Sequence, residues 1–295
     1  MHGKLLFCLL FMLTAGPPPA PRAAEAPAVA SAPPVRSRLL ASRQGAAAGD
    51  TLLLGVLLEP AAGWHLYWNG RNDTGLAPQI QLSLPPGVVF LEDWRWPAPE
   101  RHLLRGKLLD HIYTGRLLLT TALRLPDPLP PGDFLSITGH VDWVACLEAC
   151  RFGSDSLSLQ LPHCLHGAPA QPSAADGLIA QVRADLPLPL RVGEAGLRIE
   201  RGESGVLVEL PGARSLAFYP AADCVELLNP LADGEAIGER LNLRLAHGAL
   251  ARGALRGVLA ELVMGERRHY FLDHPLDPPP ADPTAAPPTA ERPKE

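Results

Sequence analysis

Val141-Asp142-Trp143-Val144-Ala145-Cys146-Leu147-Glu148-Ala149-Cys150 is the stretch of sequence on which the fold and the chemistry depend. An apolar run ends there in two thiols four positions apart. Residues 134–144 before the cysteines and 155–161 after them have the apolar content of strands, and in the second run leucine alternates with polar residues. That period of two is typical of a half-buried β-strand. The stretch therefore predicts two strands joined by a short cysteine-bearing bend.

Short apolar runs, each stopped by proline or turn residues, precede this stretch. They cover residues 51–59, 63–68, 80–84, 88–91 and 116–125. The chain holds 33 prolines, and proline stops helices and removes a backbone donor, which favours many short strands. The pattern predicts an all-β fold, with an antiparallel β-sandwich over residues 49–165.

The C-terminal half changes character once and then returns to strands. Leu178, Val182 and Leu186 recur every fourth residue, Ser173 and Asp176 offer caps, and Pro187 stops the run, so an amphipathic helix is predicted within a linker over residues 166–189. Apolar runs at 197–200, 206–210, 216–219, 241–245, 258–264 and 268–272 predict a second, smaller β domain over residues 190–274. Residues 275–295, rich in proline, alanine and charge, are predicted to be disordered.

The N-terminus has the pattern of an export signal. A short polar start precedes an apolar core at residues 5–15 and a run of small residues with small-x-small cleavage sites. Residues 1–28 are predicted to be a cleaved signal peptide, and residues 29–48 a flexible lead-in. No later stretch has the ~18 apolar residues of a membrane helix. We therefore expect a periplasmic chain without a membrane span.

Composition and motifs exclude several functions. The formal net charge is -5 with no basic block, so no nucleic-acid partner is expected. The sequence has no nucleophile turn, phosphate-binding loop, dinucleotide glycine signature or zinc-protease motif. Of five cysteines, Cys8 lies in the predicted signal, and the remaining four allow three pairings. Cys146 with Cys150 closes most easily, and the pairing of Cys164 with Cys224 stays open.

An ordered set of motifs resembles a known family. The motifs are Gly63-Trp64-His65-Leu66-Tyr67-Trp68, Asp73-Thr74-Gly75-Leu76-Ala77-Pro78, Trp96-Pro97-Ala98-Pro99-Glu100-Arg101, Tyr113-Thr114-Gly115, residues 142–150 and Phe218-Tyr219-Pro220-Ala221-Ala222-Asp223. Together they resemble the N-terminal periplasmic domain of the thiol:disulfide interchange protein DsbD, in particular its ScsB-like branch. The resemblance extends from about residue 50 to residue 275.

The resemblance implies an immunoglobulin-like β-sandwich and a two-cysteine redox site at Cys146 and Cys150. In that family the domain takes electrons from a membrane domain and passes them to exported thiol proteins. This sequence shows neither the family's membrane helices nor its thioredoxin-like domain, so a membrane electron donor and a thioredoxin-like exported protein are expected to act in trans. Arg151-Phe152-Gly153 also stands where the family favours Ile-Pro-Gly. No cofactor is expected.

Several residues are candidate neighbours of the sulfurs. Trp143, Tyr67, Trp64 and Phe152 are predicted either to cap the sulfurs or to serve as ordinary core and rim aromatics. Tyr113 and Asp142 are candidate polar neighbours.

Two other functions stay open. In the first, the Cys146–Cys150 disulfide is only structural, within a binding or adaptor domain. In the second, the chain binds metal for copper tolerance, since soft sulfur and imidazole at His163, Cys164 and His166 suit copper or zinc. A solvated loop with one thiol is the preferred interpretation of that cluster, because no full ligand set is visible, and no metal site is predicted.

Overall fold

A computed structural model describes residues 33–165, 168–248 and 252–276 of the chain, and these residues are mainly β-strand. The predicted signal peptide, the start of the lead-in, His166 and residues 277–295 lie outside the described ranges. Within those ranges no helix is long and apolar enough to cross a membrane.

Ten strands make up the first β unit. They are β1 (Val35–Ala41), β2 (Thr51–Pro60), β3 (Leu66–Tyr67), β4 (Gln79–Ser83), β5 (Val89–Phe90), β6 (Glu100–Leu104), β7 (Leu108–Tyr113), β8 (Leu117–Arg124), β9 (Phe134–Cys146) and β10 (Cys150–Pro162). After the helix α1 (Asp176–Ala184), the second β unit holds β11 (Leu188–Pro189), β12 (Arg198–Arg201), β13 (Gly205–Glu209), β14 (Ser215–Pro220), the short helix α2 (Pro230–Asp233), β15 (Glu235–Ile237), β16 (Arg240–Arg244), β17 (Ala254–Val263) and β18 (Glu266–Pro275). A single 3-10 turn covers Glu194–Gly196.

Two antiparallel sheets face each other in the first unit. Their strand orders are β1-β2-β8-β5 and β10-β9-β4, and their inner faces form one apolar core that includes Leu54, Leu119, Ile137 and Val141. β2 carries an unbroken apolar run because both of its faces are covered: one face packs in the sandwich core and the other against α1. On that face Leu57 packs with Leu118 and Ile179 of α1. The predicted all-β sandwich is confirmed.

The first strand lies where the sequence predicts a flexible lead-in. β1 pairs with β2 along its whole length, from Val35 opposite Pro60 to Ala41 opposite Leu54. Val35 and Leu39 are buried in the core. The lead-in prediction for residues 29–48 is therefore wrong from Val35 onward, because strand pairing and burial fix this segment in the sheet.

The sequence predicts the central residues of the helix correctly but assigns the wrong N-cap residue. Ala175 is the N-cap residue and makes no side-chain cap hydrogen bond, whereas Ser173 Oγ accepts a hydrogen bond from Ala175 N at 3.0 Å. Ile179 is fully buried. The helix therefore covers the outer face of β2 and β8 instead of serving as a free linker.

A second pair of sheets encloses the other core. The orders are β11-β18-β17-β14-β15 and β12-β13-β16, and Val208, Phe218, Leu243 and Leu259 lie between them. Three residues of this unit, Tyr219, Val258 and Ala260, join the core of the first unit. The two β units are therefore packed together as one body.

A fifth sheet, β3-β7-β6, positions the cysteine bend. It joins β9 through an antiparallel bridge between His65 and Cys146. Side chains on one face of this sheet lie beside the cysteines, and side chains on the other face contact the second β unit.

Candidate redox site

Cys146 and Cys150 form a disulfide across the bend between β9 and β10. Their Cα atoms are 4.0 Å apart and they are register partners at the end of a thirteen-residue antiparallel pair. The two sulfur-bearing residues are unequally accessible, since Cys146 is 4% exposed whereas Cys150 is an exposed residue. One half of the disulfide is therefore open to another molecule and the other half is held inside.

Cys146 is buried by β3, β7 and β9. It packs in a small apolar cluster with Tyr67, Ile112 and Val144. Its backbone exchanges two hydrogen bonds with His65, from His65 N to Cys146 O at 2.9 Å and from Cys146 N to His65 O at 3.1 Å. A residue pair joined in this way has its side chains next to each other on one face of the sheet.

A chain of polar side chains leads away from this cluster into the protein. His65 Nε2 lies 3.3 Å from Tyr67 Oη, which lies 3.4 Å from Thr74 Oγ1. Thr74 Oγ1 donates to Asp110 Oδ2 at 2.5 Å, and Thr74 N donates to Asp110 Oδ1 at 2.9 Å. Asp110 is only 1% exposed, so the chain ends in a buried carboxyl whose two oxygens both accept hydrogen bonds.

Burial alters the acid–base behaviour of the first two members of this chain. It lowers the pKa of His65, and the neighbouring His102 lowers that pKa further, whereas Asp110 raises it. The ring centroids of His65 and His102 are 5.2 Å apart. Burial also raises the pKa of Tyr67. Both groups are therefore held in their neutral forms near neutral pH.

The predicted aromatic neighbours divide between two faces of the sheet. Tyr67 lies in the Cys146 cluster, and Phe152, which is paired with Val144, is 79% exposed on the same face as the disulfide. Trp143 faces the opposite side, lies in the main core and donates from Nε1 to Asp155 at 3.3 Å. Of the two interpretations of Trp143, the structure agrees with a core aromatic and not with a cap, because Trp143 lies three residues from Cys146 and alternate residues of a strand point to opposite faces.

The two predicted polar neighbours do not reach the disulfide. Tyr113 is buried in the main core, where its Oη donates to Pro97 O at 2.7 Å, and burial raises its pKa well above the usual value. Asp142 is exposed and lies 3.8 Å from His140. Asp142 is four residues from Cys146 along a strand, which corresponds to ~13 Å.

The rim of the bend carries apolar side chains, one cation at Arg151 and one exposed acid at Glu148. Leu147 is 52% exposed, and its side chain packs close to Gly63. The guanidinium of Arg151 lies 5.5 Å from the centroid of the Trp64 ring, so Trp64 supports the bend from the side. Leu147, Glu148 and Arg151 flank Cys150 along the chain.

The other two cysteines within the described residues are free thiols. Cys164 is half-buried and Cys224 is buried, and burial raises the pKa of Cys224 to about 11. Cys164 and Cys224 are therefore not paired with each other in the structure. Among the described residues no group of three or more His, Cys, Asp or Glu side chains could hold a metal, and His166 lies outside them.

The reverse face of the β6–β7 hairpin contacts the second β unit. The Arg101 guanidinium donates to Pro230 O at 3.2 Å and to Leu231 O, and its Nε lies 3.4 Å from Glu235. The ring of His111 meets the ring of Tyr219 edge-on, with centroids 5.4 Å apart. The same hairpin therefore touches the disulfide cluster with one face and the second unit with the other.

Sequence reasoning missed His65, Thr74 and Asp110 as parts of this site. Two signals were available: His65 and Tyr67 are two residues apart, as strand neighbours on one face are, and Thr74 lies in a quoted motif. What the sequence does not display is the isolated bridge between His65, just before β3, and Cys146 at the end of β9.

Comparison with known proteins agrees with this architecture. Residues 36–162 match the family described as thiol:disulfide interchange protein DsbD, N-terminal. The chain is also similar to the N-terminal periplasmic domain of ScsB from Proteus mirabilis, with 16% identity and a TM-score of 0.52 over 82% of this chain and 92% of that one. A weaker likeness, with 6% identity and a TM-score of 0.26, covers 82% of this chain and 66% of the major pilin subunit BcpA of Bacillus cereus. No curated protein matches the chain.

Proposed function

Because residues 36–162 form a DsbD N-terminal-like domain, we propose that the chain is a periplasmic thiol–disulfide exchange module that acts through Cys146 and Cys150. The observation that supports this proposal most is the unequal exposure of the two cysteines. Exchange needs one sulfur that another protein can reach and a second sulfur that resolves the mixed disulfide. An exposed Cys150 and a buried Cys146 suit these two roles.

The exchange proceeds in two displacements. In the reduced module the Cys150 thiolate attacks a disulfide of the acceptor protein, so that a Cys150–acceptor bond forms and one acceptor thiolate leaves. Cys146 then loses its proton and attacks the Cys150 sulfur, which releases the second acceptor thiolate and forms the Cys146–Cys150 disulfide. Two electrons pass to the acceptor. The dithiol of a donor protein restores the reduced module by the same steps in reverse.

The proposed partners are a membrane electron donor acting in trans and a thioredoxin-like exported protein. The exposed apolar side chains of Leu147 and Phe152 support docking of another protein beside Cys150, because both are more than half exposed and lie within three residues of that cysteine. No cofactor takes part in this chemistry, since the two sulfurs carry both electrons.

A titration and a trapping experiment test the proposal. The purified chain is equilibrated with glutathione couples, and the reduction potential of the Cys146–Cys150 pair is expected to lie above about -300 mV, as it does for exchangeable disulfides. Cys146→Ser should accumulate a mixed disulfide through Cys150, whereas the matched Cys150→Ser variant should accumulate much less, because Cys146 is buried.

The same measurements identify the competing function. A potential well below about -300 mV, together with no adduct in either variant, would show that the disulfide is a structural link in a binding or adaptor domain. The copper-tolerance alternative has no supporting ligand set among the residues that the structure describes.

A further inference from the structure

We infer that His65 is the acid–base group of the exchange: it takes the proton from the Cys146 thiol as that sulfur attacks Cys150, and returns a proton to Cys146 in the reverse direction. This inference rests on the proposed function and assigns a role within it. The position of His65, the direction of its hydrogen bonds and its surroundings each support the assignment.

The position of His65 is set by the backbone. Its two backbone hydrogen bonds to Cys146, at 2.9 and 3.1 Å, make the residues direct cross-strand partners. The Cβ atoms of such partners lie about 5 Å apart with their side chains side by side. The side chain of His65 therefore lies on the same face of the sheet as that of Cys146, and because His65 is only half-buried, its imidazole also reaches the surface, where the proton can leave.

The hydrogen bonds fix which ring nitrogen is free. Thr74 has one hydroxyl proton and donates it to the Asp110 carboxylate at 2.5 Å. The Thr74 hydroxyl therefore has no proton left for Tyr67, so Tyr67 Oη donates its only proton to Thr74 Oγ1. It follows that His65 Nε2 donates to Tyr67 Oη. The neutral ring therefore carries its proton on Nε2, and Nδ1 is left with a free lone pair.

The groups around His65 favour a neutral ring that can accept a proton during the reaction. They come from five strands: Tyr67 on β3, His102 on β6, Asp110 on β7, Cys146 on β9, and Arg151 on β10, over the adjacent Trp64 ring. Burial and His102 lower the pKa of His65 and keep the ring unprotonated at rest. The relay to the Asp110 carboxylate stabilises the positive charge when it forms, since each donor in the relay points toward that carboxylate.

The proposed step balances in atoms and charge. The mixed disulfide Cys150–S–S–R and the Cys146 thiol react so that the Cys146–Cys150 bond forms, the bond to R breaks, and R leaves as a thiolate. The Cys146 proton goes to His65 Nδ1 and from there to solvent or to the departing thiolate. Without a base, only the small fraction of Cys146 that is already ionised could attack.

The test follows the second displacement alone. The reduced full chain is mixed with glutathione disulfide and acid-quenched, and mass spectrometry follows the conversion of the Cys150–glutathione adduct to the intramolecular disulfide. For the parent, the rate constant should change little between pH 6.5 and 8, because the base is already neutral there. For His65→Gln, the rate at pH 7 should fall about 30-fold, because only ~3% of a thiol with a pKa of ~8.5 is ionised there, and it should rise about tenfold per pH unit and approach the parent rate above that pKa.

His140→Gln is the matched control, because His140 lies exposed on β9, the same strand as Cys146, and faces Asp142. It should leave the profile unchanged. An unaltered profile in His65→Gln, or the same shift in His140→Gln, would overturn the inference. If His65→Gln misfolds, the parent profile still decides, since a parent rate that rises tenfold per unit from pH 6.5 to 8 excludes an internal base. A parent that forms no adduct at all overturns the proposed function together with the inference.

Discussion

At the scale of single residues, Gly153 is fixed by the side chain across the strand pair. A Cβ added at this position would lie 2.2 Å from the Trp143 ring, so the indole or the strand has to move. We expect Gly153→Ala to lower the free energy of unfolding by about 1–3 kcal/mol, the usual range for overpacking, as measured by urea denaturation. Gly115→Ala is the matched control, since nothing lies within 4 Å of its added Cβ. Equal losses in the two variants would show that Trp143 does not set this requirement.

A second residue-scale prediction concerns acid stability. Burial lowers the pKa of His111 in the folded protein, while the unfolded chain keeps a value near ~6.5. As the pH falls through ~6.5, the unfolded state takes up a proton before the folded state does, so the free energy of unfolding decreases until the folded pKa is passed. His111→Gln should therefore show a smaller loss of melting temperature between pH 7.5 and 5.5 than the parent.

The control for this experiment is His140→Gln, whose imidazole is 44% exposed. It should retain the parent's pH dependence. His65 and His269 also have lowered pKa values, so His111→Gln should reduce the acid loss without abolishing it. An unchanged acid loss in His111→Gln would contradict the assignment of a buried neutral imidazole.

Among individual residues, the sequence predicts the cysteine pair and Tyr67 but not their environment. The cysteines are recognisable because spacing and export context restrict what two nearby thiols can do. Trp143 could have been excluded from the cap, since it lies three residues from Cys146 and strand side chains three apart face opposite sides. Asp110 could not have been assigned to the site from the sequence, because it lies 36 residues from Thr74, to which it is hydrogen bonded.

At the scale of elements, α1 is an integral part of the first sandwich. Ile179 is fully buried against Leu57 and Leu118. Ile179→Ala should lower the free energy of unfolding by about 2–4 kcal/mol, since it removes buried methyl groups and leaves a cavity. Val192→Ala, at a position 48% exposed, should cost much less in the same urea titration. A comparably small cost at Ile179 would indicate that the helix acts only as a linker.

Strand prediction succeeds where one face is buried and fails where context decides. The dense apolar run of β2 predicts that strand closely, and the alternation of leucine and polar residues predicts the second half of β10 but not its start at Cys150. β1 is missed because three of its seven residues, Arg36, Ser37 and Arg38, are polar and only its pairing with β2 fixes it. β3 is only two residues long, and its partner strands are far away in sequence, so no local pattern reveals that it carries the site.

At the scale of the whole molecule, the β6–β7 hairpin links the redox cluster to the second β unit. Asp110 and Ile112 face the Cys146 side, whereas His111 and Arg101 face the second unit. The fold of the second unit follows from its alternating sequence, but its attachment to the first does not. That attachment depends on tertiary contacts such as the backbone bridge between Gly70 and Ala221.

Arg101 provides the sharpest test of this attachment. Its side chain is 7% exposed and donates to the carbonyls of Pro230 and Leu231. Arg101→Ala leaves these carbonyls without their donor, which should cost about 1–3 kcal/mol in the free energy of unfolding and speed amide hydrogen exchange in residues 230–237. Exposed Arg214→Ala should change neither quantity. If exchange in residues 230–237 is unaltered in Arg101→Ala, the attachment depends on the other contacts, such as the Gly70–Ala221 bridge and the packing of Tyr219 and Val258.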